Sequence, residues 1–300
     1  MRDMSNPVWT AARRLTAMLA VMAAALSFLL PLRPAVAAAA AESNALARTF
    51  EREQVLLALR AWPHLSYPNL TVYYAPHLAR DAAIVGAAAQ QSYSRVLADF
   101  GLPPNTPAVL VVVSAAQLAQ HVGVSSTLGD YYDGVIWLLA PSAFLPPGPG
   151  LRARYDQVGP VVHELTHLAD DLAAGGLPPV WFDEGLAQYE DWRLTGYVWS
   201  QSGSGFEDGT YSWRQLTSPN FYQLSNLALA FRQALAATAA ICRSGPGACN
   251  RVLADLRSGM NMDQALQATI GPTALHALER GAAWRPGEEP EPGAAAGPRP

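Results

Sequence analysis

Two histidines and a glutamate within one short segment could carry out metal-dependent chemistry. The segment reads His163-Glu-Leu-Thr-His167 and lies between Pro160, which is tolerated at a helix start, and Gly175, a common helix stop. Helical side chains four residues apart share one face, so both imidazoles could bind one tetrahedral Zn²⁺ ion. Glu164 would then point beside the metal, where it could accept a proton from water. The alternative is an ordinary helix whose histidines lie at the surface or are hydrogen-bonded in the core.

A second segment offers a third metal ligand. It runs from Pro179 to Tyr189 and contains Glu184. Glycines and prolines before it let the chain reverse, so a second helix can lie against the first and bring Glu184 to the two imidazoles. Two histidines and one glutamate leave a fourth coordination position open, as in catalytic zinc sites. Alternatively, Glu184 is only an acid favoured near a helix N-terminus by the helix dipole.

The two segments together resemble the gluzincin metallopeptidases, in particular the peptidase MA-like domains with the pattern H-E-x-x-H…W-x-x-E-G-x-A-x-Y. The matching residues of the second segment are Trp181-Phe-Asp-Glu-Gly-Leu-Ala-Gln-Tyr189. The resemblance implies one zinc ion held by His163, His167 and Glu184, with Glu164 as catalytic base. It also implies a zincin-like α+β fold, in which a small mixed α/β lobe packs on a helical lobe and the active site lies between them.

The chain departs from the family pattern at three points. The spacing between His167 and Glu184 is slightly shorter than in the thermolysin-like enzymes, so the subfamily stays open. The Gly-x-Met-Glu-Asn segment that holds a free substrate amine in the related aminopeptidases is absent, which disfavours that activity. Gln188 stands where thermolysin-like enzymes place an aspartate that orients a zinc histidine. Asp170 or Asp171 could take over that role, or both could be solvated helix acids.

Further substrate contacts are predicted from the same resemblance. Similar enzymes stabilise the oxyanion with a tyrosine after the glutamate ligand; Tyr222 matches that place best, and Tyr211 and Tyr197 are the other candidates. Tyr222 could equally be an ordinary half-buried aromatic. The strand Gly134–Leu139 resembles the cleft-lining edge strand, which could pair with an extended peptide. Trp137 on that strand either lines the cleft or packs in the core.

The elements that must position these residues follow from hydrophobic patterning. Apolar runs at 70–74, 108–113 and 134–139 predict strands that alternate with helices, which favours an α/β lobe over residues 42–145. A Pro- and Gly-rich cluster at 146–150 predicts a boundary. The helical lobe with the zinc motif is predicted over 146–285, and the Pro-, Gly-, Ala- and Glu-rich tail 286–300 is predicted to be disordered.

The N-terminus predicts export. Arginines precede an apolar run from Leu15 to Leu32, and the small-residue pattern Ala35-Val-Ala37 follows. Residues 1–41 therefore read as a signal peptide, with a retained membrane anchor as the alternative. The expected location is secreted or extracytoplasmic in the cell envelope, with membrane contact only if the segment is retained. In such a compartment Cys242 and Cys249 are expected to form a disulfide; two free thiols at neighbouring helix ends are the other reading.

The function predicted from the sequence is a secreted zinc-dependent metallopeptidase that acts on a peptide or protein substrate. A formal net charge of −4 and the lack of an arginine stripe exclude a nucleic-acid footprint. The remaining histidines have no spaced partner and are assigned no metal role: His64, His77, His121 and His276. Three alternatives stay open: a zinc-binding module without catalysis, a cell-envelope interaction protein, and a zinc hydrolase that acts on another bond.

Overall fold

The computed structural model describes residues 33–123, 127–132, 134–199 and 209–281. The predicted export segment before residue 33, part of the Gly/Ser-rich loop and the predicted tail lie outside these residues. The strands are β1 (His64–Tyr67), β2 (Leu70–Tyr74), β3 (Ala108–Val113), β4 (Gly129–Tyr132) and β5 (Val135–Leu139). The helices are α1 (Arg33–Ala58), α2 (Ala79–Asp99), α3 (Ala115–Val122), α4 (Leu151–Val158), α5 (Val161–Ala174), α6 (Val180–Thr195), α7 (Trp213–Leu216), α8 (Leu227–Arg243), α9 (Ala248–Arg257) and α10 (Met262–Glu279), with short 3₁₀ turns at Pro141–Ala143 and Phe221–Gln223.

The five strands form one mixed sheet in the order β1-β2-β3-β5-β4. β2, β3 and β5 are parallel, while β1 and β4 pair antiparallel at the two edges. This arrangement confirms the α+β class. The prediction that Gly134–Leu139 is an edge strand was wrong: β5 lies between β3 and β4, and β4 forms that edge of the sheet. β4 supplies the pairing that the sequence pattern did not reveal.

The faces of the sheet follow the alternation of side chains along each strand. Leu110, Val112, Ile136 and Leu138 belong to the main core, beneath helices α2 and α5. The odd-numbered valines of β3 form a smaller cluster with side chains of α1 and α3 on the opposite face. The main core includes side chains from Leu70 to Leu278, so it continues across the predicted boundary at 146–150.

The helices that carry the two motifs pack directly on each other and on the sheet. α5 contacts α2, α6 and α9, and α6 has its most extensive contact with α8. α6 and α8 approach closely at Gly185 of α6, where an added Cβ would lie 2.2 Å from the hydroxyl oxygen of Thr238 on α8. α5 ends at Gly175, which has a positive φ of 75°, and α6 begins after Pro179. The turn between them reverses the chain as the sequence predicts.

Cys242 at the end of α8 and Cys249 in α9 form a disulfide. It closes the short turn that joins the two helices. No helix among the residues that the structure describes is both long enough and apolar enough to cross a membrane.

Candidate metal centre

His163, His167 and Glu184 converge at the contact between α5 and α6. The two imidazoles lie on one face of α5, with ring centroids 4.8 Å apart. Glu184 Oε2 lies 3.2 Å from His163 Nε2 and 3.8 Å from His167 Nε2. One ligand atom from each of the three side chains lies within 4.8 Å of the others, so they can share one metal ion. The structure therefore brings together all three residues predicted as ligands.

Two aspartates of α6 contact the opposite nitrogens of these imidazoles. Asp183 Oδ1 lies 2.5 Å from His167 Nδ1, and Asp191 Oδ2 lies 3.4 Å from His163 Nδ1. Such contacts fix the ring orientation and leave each Nε2 directed at Glu184. The helix spacing explains the arrangement, because Asp183 precedes Glu184 and Asp191 follows it by two turns. Of the two alternatives for Asp170 and Asp171, the interpretation as solvated helix acids was wrong, because both side chains are buried; the carboxylates at the two imidazoles are those of Asp183 and Asp191.

Asp170 of α5 is a further buried carboxyl group beside Asp183. It is fully buried and also lies beside the backbone of Asp171. Burial and the neighbouring charge of Asp183 raise its pKa well above the usual range, so the neutral acid is favoured. Asp170, Asp183 and His167 form a second group with metal-ligand atoms in proximity. Because Asp183 contacts His167 Nδ1, we interpret the second group as a support for the first.

His163, His167 and Glu184 favour their charged forms, because each lies beside groups of opposite charge. Burial alone lowers the pKa of His167. The charge of Asp183 and its hydrogen bond to the imidazole outweigh this effect and raise the pKa to about 9. His163 behaves similarly: contacts with Asp191 and Glu184 outweigh burial and raise its pKa well above the usual range. The pKa of Glu184 is lowered, because His163 and the charges of both imidazoles overcome the effect of burial. Every ion pair found for Asp183, Glu184 and Asp191 in the described part of the chain comes from a histidine.

Glu164, the predicted base, is on α5, and its side chain points to the edge strand β4. Its side chain is buried against Gly129: a Cβ at position 129 would lie 2.6 Å from Glu164 Oε1. A residue without a side chain is therefore needed on β4 at this point. Burial raises the pKa of Glu164 to about 7, although the imidazole charges act in the opposite direction. A carboxylate with such a pKa can both accept and return a proton near neutrality.

Tyr222 reaches the same centre from the turn before α8. Its hydroxyl donates a 2.5 Å hydrogen bond to Glu184 Oε1. The residue as a whole is 54% exposed, but its hydroxyl lies in the centre, where burial and the charge of Glu184 raise its pKa above the usual range, so it stays protonated. Tyr211 does not take this place, because its hydroxyl bonds Ser225 and the backbone N–H of Asn226. The backbone N–H of Tyr197 donates to Thr195 Oγ1.

The other residues considered from the sequence lie elsewhere. Trp137 packs on the sheet face opposite α5 and stacks on His121, with ring centroids 4.2 Å apart. His121 also lies 3.2 Å from Asp130 Oδ2, and His64 contacts the ring of Tyr73. His276 lies near Glu279 on α10. None of these histidines belongs to a group of three metal-ligand residues within the described ranges.

No protein-family model matches the chain, and no curated protein matches it.

Sequence reasoning missed Asp183, Asp191 and Gly129 as parts of the centre. The only sequence signal for the first two was the concentration of acids in 183–191, directly around the third ligand.

Proposed function

We propose that the protein is an exported zinc-dependent peptidase. The observation that carries the proposal is the convergence of His163, His167 and Glu184, with the buried carboxyl of Glu164 beside them. The resemblance of the two motifs to gluzincin peptidases agrees with this geometry. The proposal includes the finer fold assignment, a zincin-like arrangement in which a mixed sheet and a helical part flank the centre.

The donor set fits zinc. Two imidazole nitrogens and one carboxylate are borderline donors that suit Zn²⁺, whereas Ca²⁺ and Mg²⁺ prefer oxygen ligands alone. Both imidazoles are backed by carboxylates at Nδ1, the support usual for zinc histidines. Three protein ligands leave a position for water or substrate, which favours a catalytic over a structural site.

The residues around the ligands supply the remaining chemistry of peptide hydrolysis. A zinc ion in this centre would polarise the peptide carbonyl and acidify water. Glu164 accepts the proton of the attacking water and returns it to the leaving amine. Its burial and raised pKa support this double role. Tyr222 remains a protonated donor beside Glu184 and can turn to the carbonyl oxygen of a bound peptide.

The outer edge of β4, which pairs with no other strand among the described residues, is the proposed peptide-binding element. The backbone N–H of Leu139 donates to the carbonyl of Leu128, so residue 128 faces β5. Backbone groups alternate in direction along a strand, so those of Gly129 and Tyr131 face the outer edge. At this edge the Thr127 hydroxyl donates to the carbonyl of Gly129 and accepts from the N–H of Gly129, so a peptide that pairs at Gly129 must displace it. An extended peptide paired here would run past Glu164, and its affinity would come largely from main-chain contacts.

The disulfide supports a location outside the reducing cytoplasm. The proposed export through the N-terminal segment agrees with it. Whether that segment is removed or anchors the protein is tested by the mass of the protein recovered from membranes and from medium.

The test of the proposed function is Glu164→Gln in the full exported protein. The variant is expected to keep one zinc ion per chain and to lose turnover of a mixed peptide library by roughly 100-fold or more, because a general base contributes that much. Glu279→Gln is the matched control, since that carboxylate is exposed and lies on α10 near His276. It should keep both zinc and activity. Full turnover by Glu164→Gln would contradict the assignment of the base.

The alternatives give different outcomes in the same experiment. A non-catalytic zinc module would contain zinc but cleave no peptide even as the unaltered protein. An interaction protein whose helices only pack would bind no stoichiometric zinc. A hydrolase acting on another bond would contain zinc, spare peptides and show Glu164-dependent turnover of ester or amide substrates outside the peptide library.

A further inference from the structure

Two side chains from distant parts of the chain converge on buried Asp171 near the C-terminal end of α5. Tyr131 of β4 donates its hydroxyl to Asp171 Oδ2 at 2.5 Å. Arg48 of α1 donates to Oδ1 of the same carboxylate at 2.8 Å. Burial and the charge of Asp171 raise the pKa of Tyr131 well above the usual range, so this hydroxyl remains a donor. Asp171 thus joins α5, the sheet edge and the N-terminal helix.

The same strand touches α5 at a second point. Gly129 and Tyr131 point to one face of β4, because they are two residues apart. Gly129 rests on Glu164, while Tyr131 bonds Asp171 two turns further along the helix. The two contacts are separated by roughly 7 Å along the strand and roughly 10 Å along the helix. The first is close packing; the second is a charge-assisted hydrogen bond, which has a preferred geometry.

We propose that Tyr131 and Asp171 are positioning residues that hold the outer edge of β4 in place against Glu164, with Arg48 balancing the charge of Asp171. The inference rests on the proposed function, because it assigns the alignment of the peptide-binding edge to this contact. The hydrogen bonds that join Tyr131 and Arg48 to Asp171 involve none of the three predicted ligands. Loss of the contact therefore acts on the strand and leaves the metal centre intact.

The expected consequence is a change in substrate binding without a change in chemistry. Tyr131→Phe removes one buried hydroxyl and keeps the ring in the core. Its KM for a peptide is expected to rise roughly three- to tenfold, the range that one hydrogen bond can supply. The kcat and the zinc content are expected to stay within about twofold of the unaltered protein, since Glu164 and the ligands keep their own contacts.

Tyr93→Phe is the matched control. Tyr93 is also a buried tyrosine, on α2, but its hydroxyl has no hydrogen-bond partner within the described ranges. Removing it tests the effect of losing a buried hydroxyl as such, and KM is expected to stay unchanged. Arg48→Met and Arg48→Lys form a second pair: the first is expected to raise KM, and the second, which keeps a cation, is expected to restore most of the affinity.

Amide hydrogen exchange of the zinc-loaded protein separates failure of this inference from failure of the proposed function. Tyr131→Phe is expected to speed exchange at Asp130 and Tyr132, whose backbone N–H groups face β5, more than at β2 or β3, whether or not the protein cleaves peptides. Faster exchange at β4 with an inactive parent protein would uphold the positioning contact and reject the peptidase. A lower unfolding temperature with unchanged KM and unchanged exchange at β4 would show a merely structural role and overturn the inference. Equal KM changes in the Tyr131 and Tyr93 variants would overturn it as well.

Discussion

Asp183→Asn is the most informative change to the supports of the metal centre. The Asp183 carboxylate lies 2.5 Å from His167 Nδ1, whereas the matching contact of Asp191 to His163 is 3.4 Å. An asparagine at position 183 can still accept a hydrogen bond through its amide oxygen, so it keeps the ring orientation. It removes the negative charge that makes the imidazole a stronger ligand. The change therefore isolates the electrostatic part of the support.

The expected magnitude follows from the difference between the two contacts. Loss of a partner behind a metal-binding histidine weakens metal binding by roughly 10- to 100-fold, or about 1.4–2.7 kcal/mol. We place Asp183→Asn in this range because its contact is short and buried. Asp191→Asn is expected to lose less than about tenfold, since its longer contact is weaker. The Kd for zinc is measured by competition with a chromophoric chelator, and circular dichroism checks that each variant is folded.

Asp156→Asn is the control for this series. Asp156 also lies in an ion pair, with Arg152 of α4, but it contacts neither imidazole. Its zinc affinity should equal that of the unaltered protein. An Asp183→Asn variant that is folded and binds zinc as tightly as the control would refute the proposed support, and so would a larger loss in Asp191→Asn than in Asp183→Asn.

Three further predictions concern the base, the disulfide and the metal-free protein. Gly129→Ala is expected to displace Glu164, because the new Cβ would lie 2.6 Å from Oε1; peptide turnover should fall at least roughly tenfold at unchanged zinc content, measured by kinetics and elemental analysis. Replacing Cys242 and Cys249 by alanine opens a loop of sequence separation 7 and should cost about 2 kcal/mol, seen as a fall of about 4–8 °C in Tm by calorimetry. In the chelator-treated protein, the pKa of His167 is raised from 6.5 to about 9. Its contribution to the free energy of unfolding is therefore full below pH 6.5 and is lost as the pH rises through about 9. The loss should reach about 3 kcal/mol in denaturant titrations, and a His167→Gln variant that keeps the same pH slope would contradict this assignment.

The sequence predicts the parts of the molecule whose pattern is local. β3 was expected at 108–113 and is found there, because an uninterrupted apolar run marks a strand buried on both faces. The two histidines share a helix face for a reason equally local, the four-residue spacing. Glu184 could be predicted as their partner because a turn rich in glycine and proline brings the two helices together.

The missed features depend on contacts between distant elements. β4 contains Gly129, Asp130 and two tyrosines, a composition that indicates a turn; it becomes a strand because it pairs with β5. Asp191 could not be assigned to His163 from spacing, since their contact depends on how α5 and α6 cross. By its spacing alone, Asp171 could be a partner of a zinc histidine or a solvated acid; it instead faces Tyr131 and Arg48, which come from distant parts of the chain.

The charges of the centre explain why one divalent ion suits it. In the metal-free protein both imidazoles favour the protonated form, and together they carry two positive charges against the carboxylates of Asp183 and Glu184. A metal ligand must be a neutral imidazole, so binding a divalent cation releases two protons and supplies two positive charges in their place. The net charge within this buried region is then unchanged. A monovalent ion would leave the carboxylates undercompensated, and their burial makes such an imbalance costly.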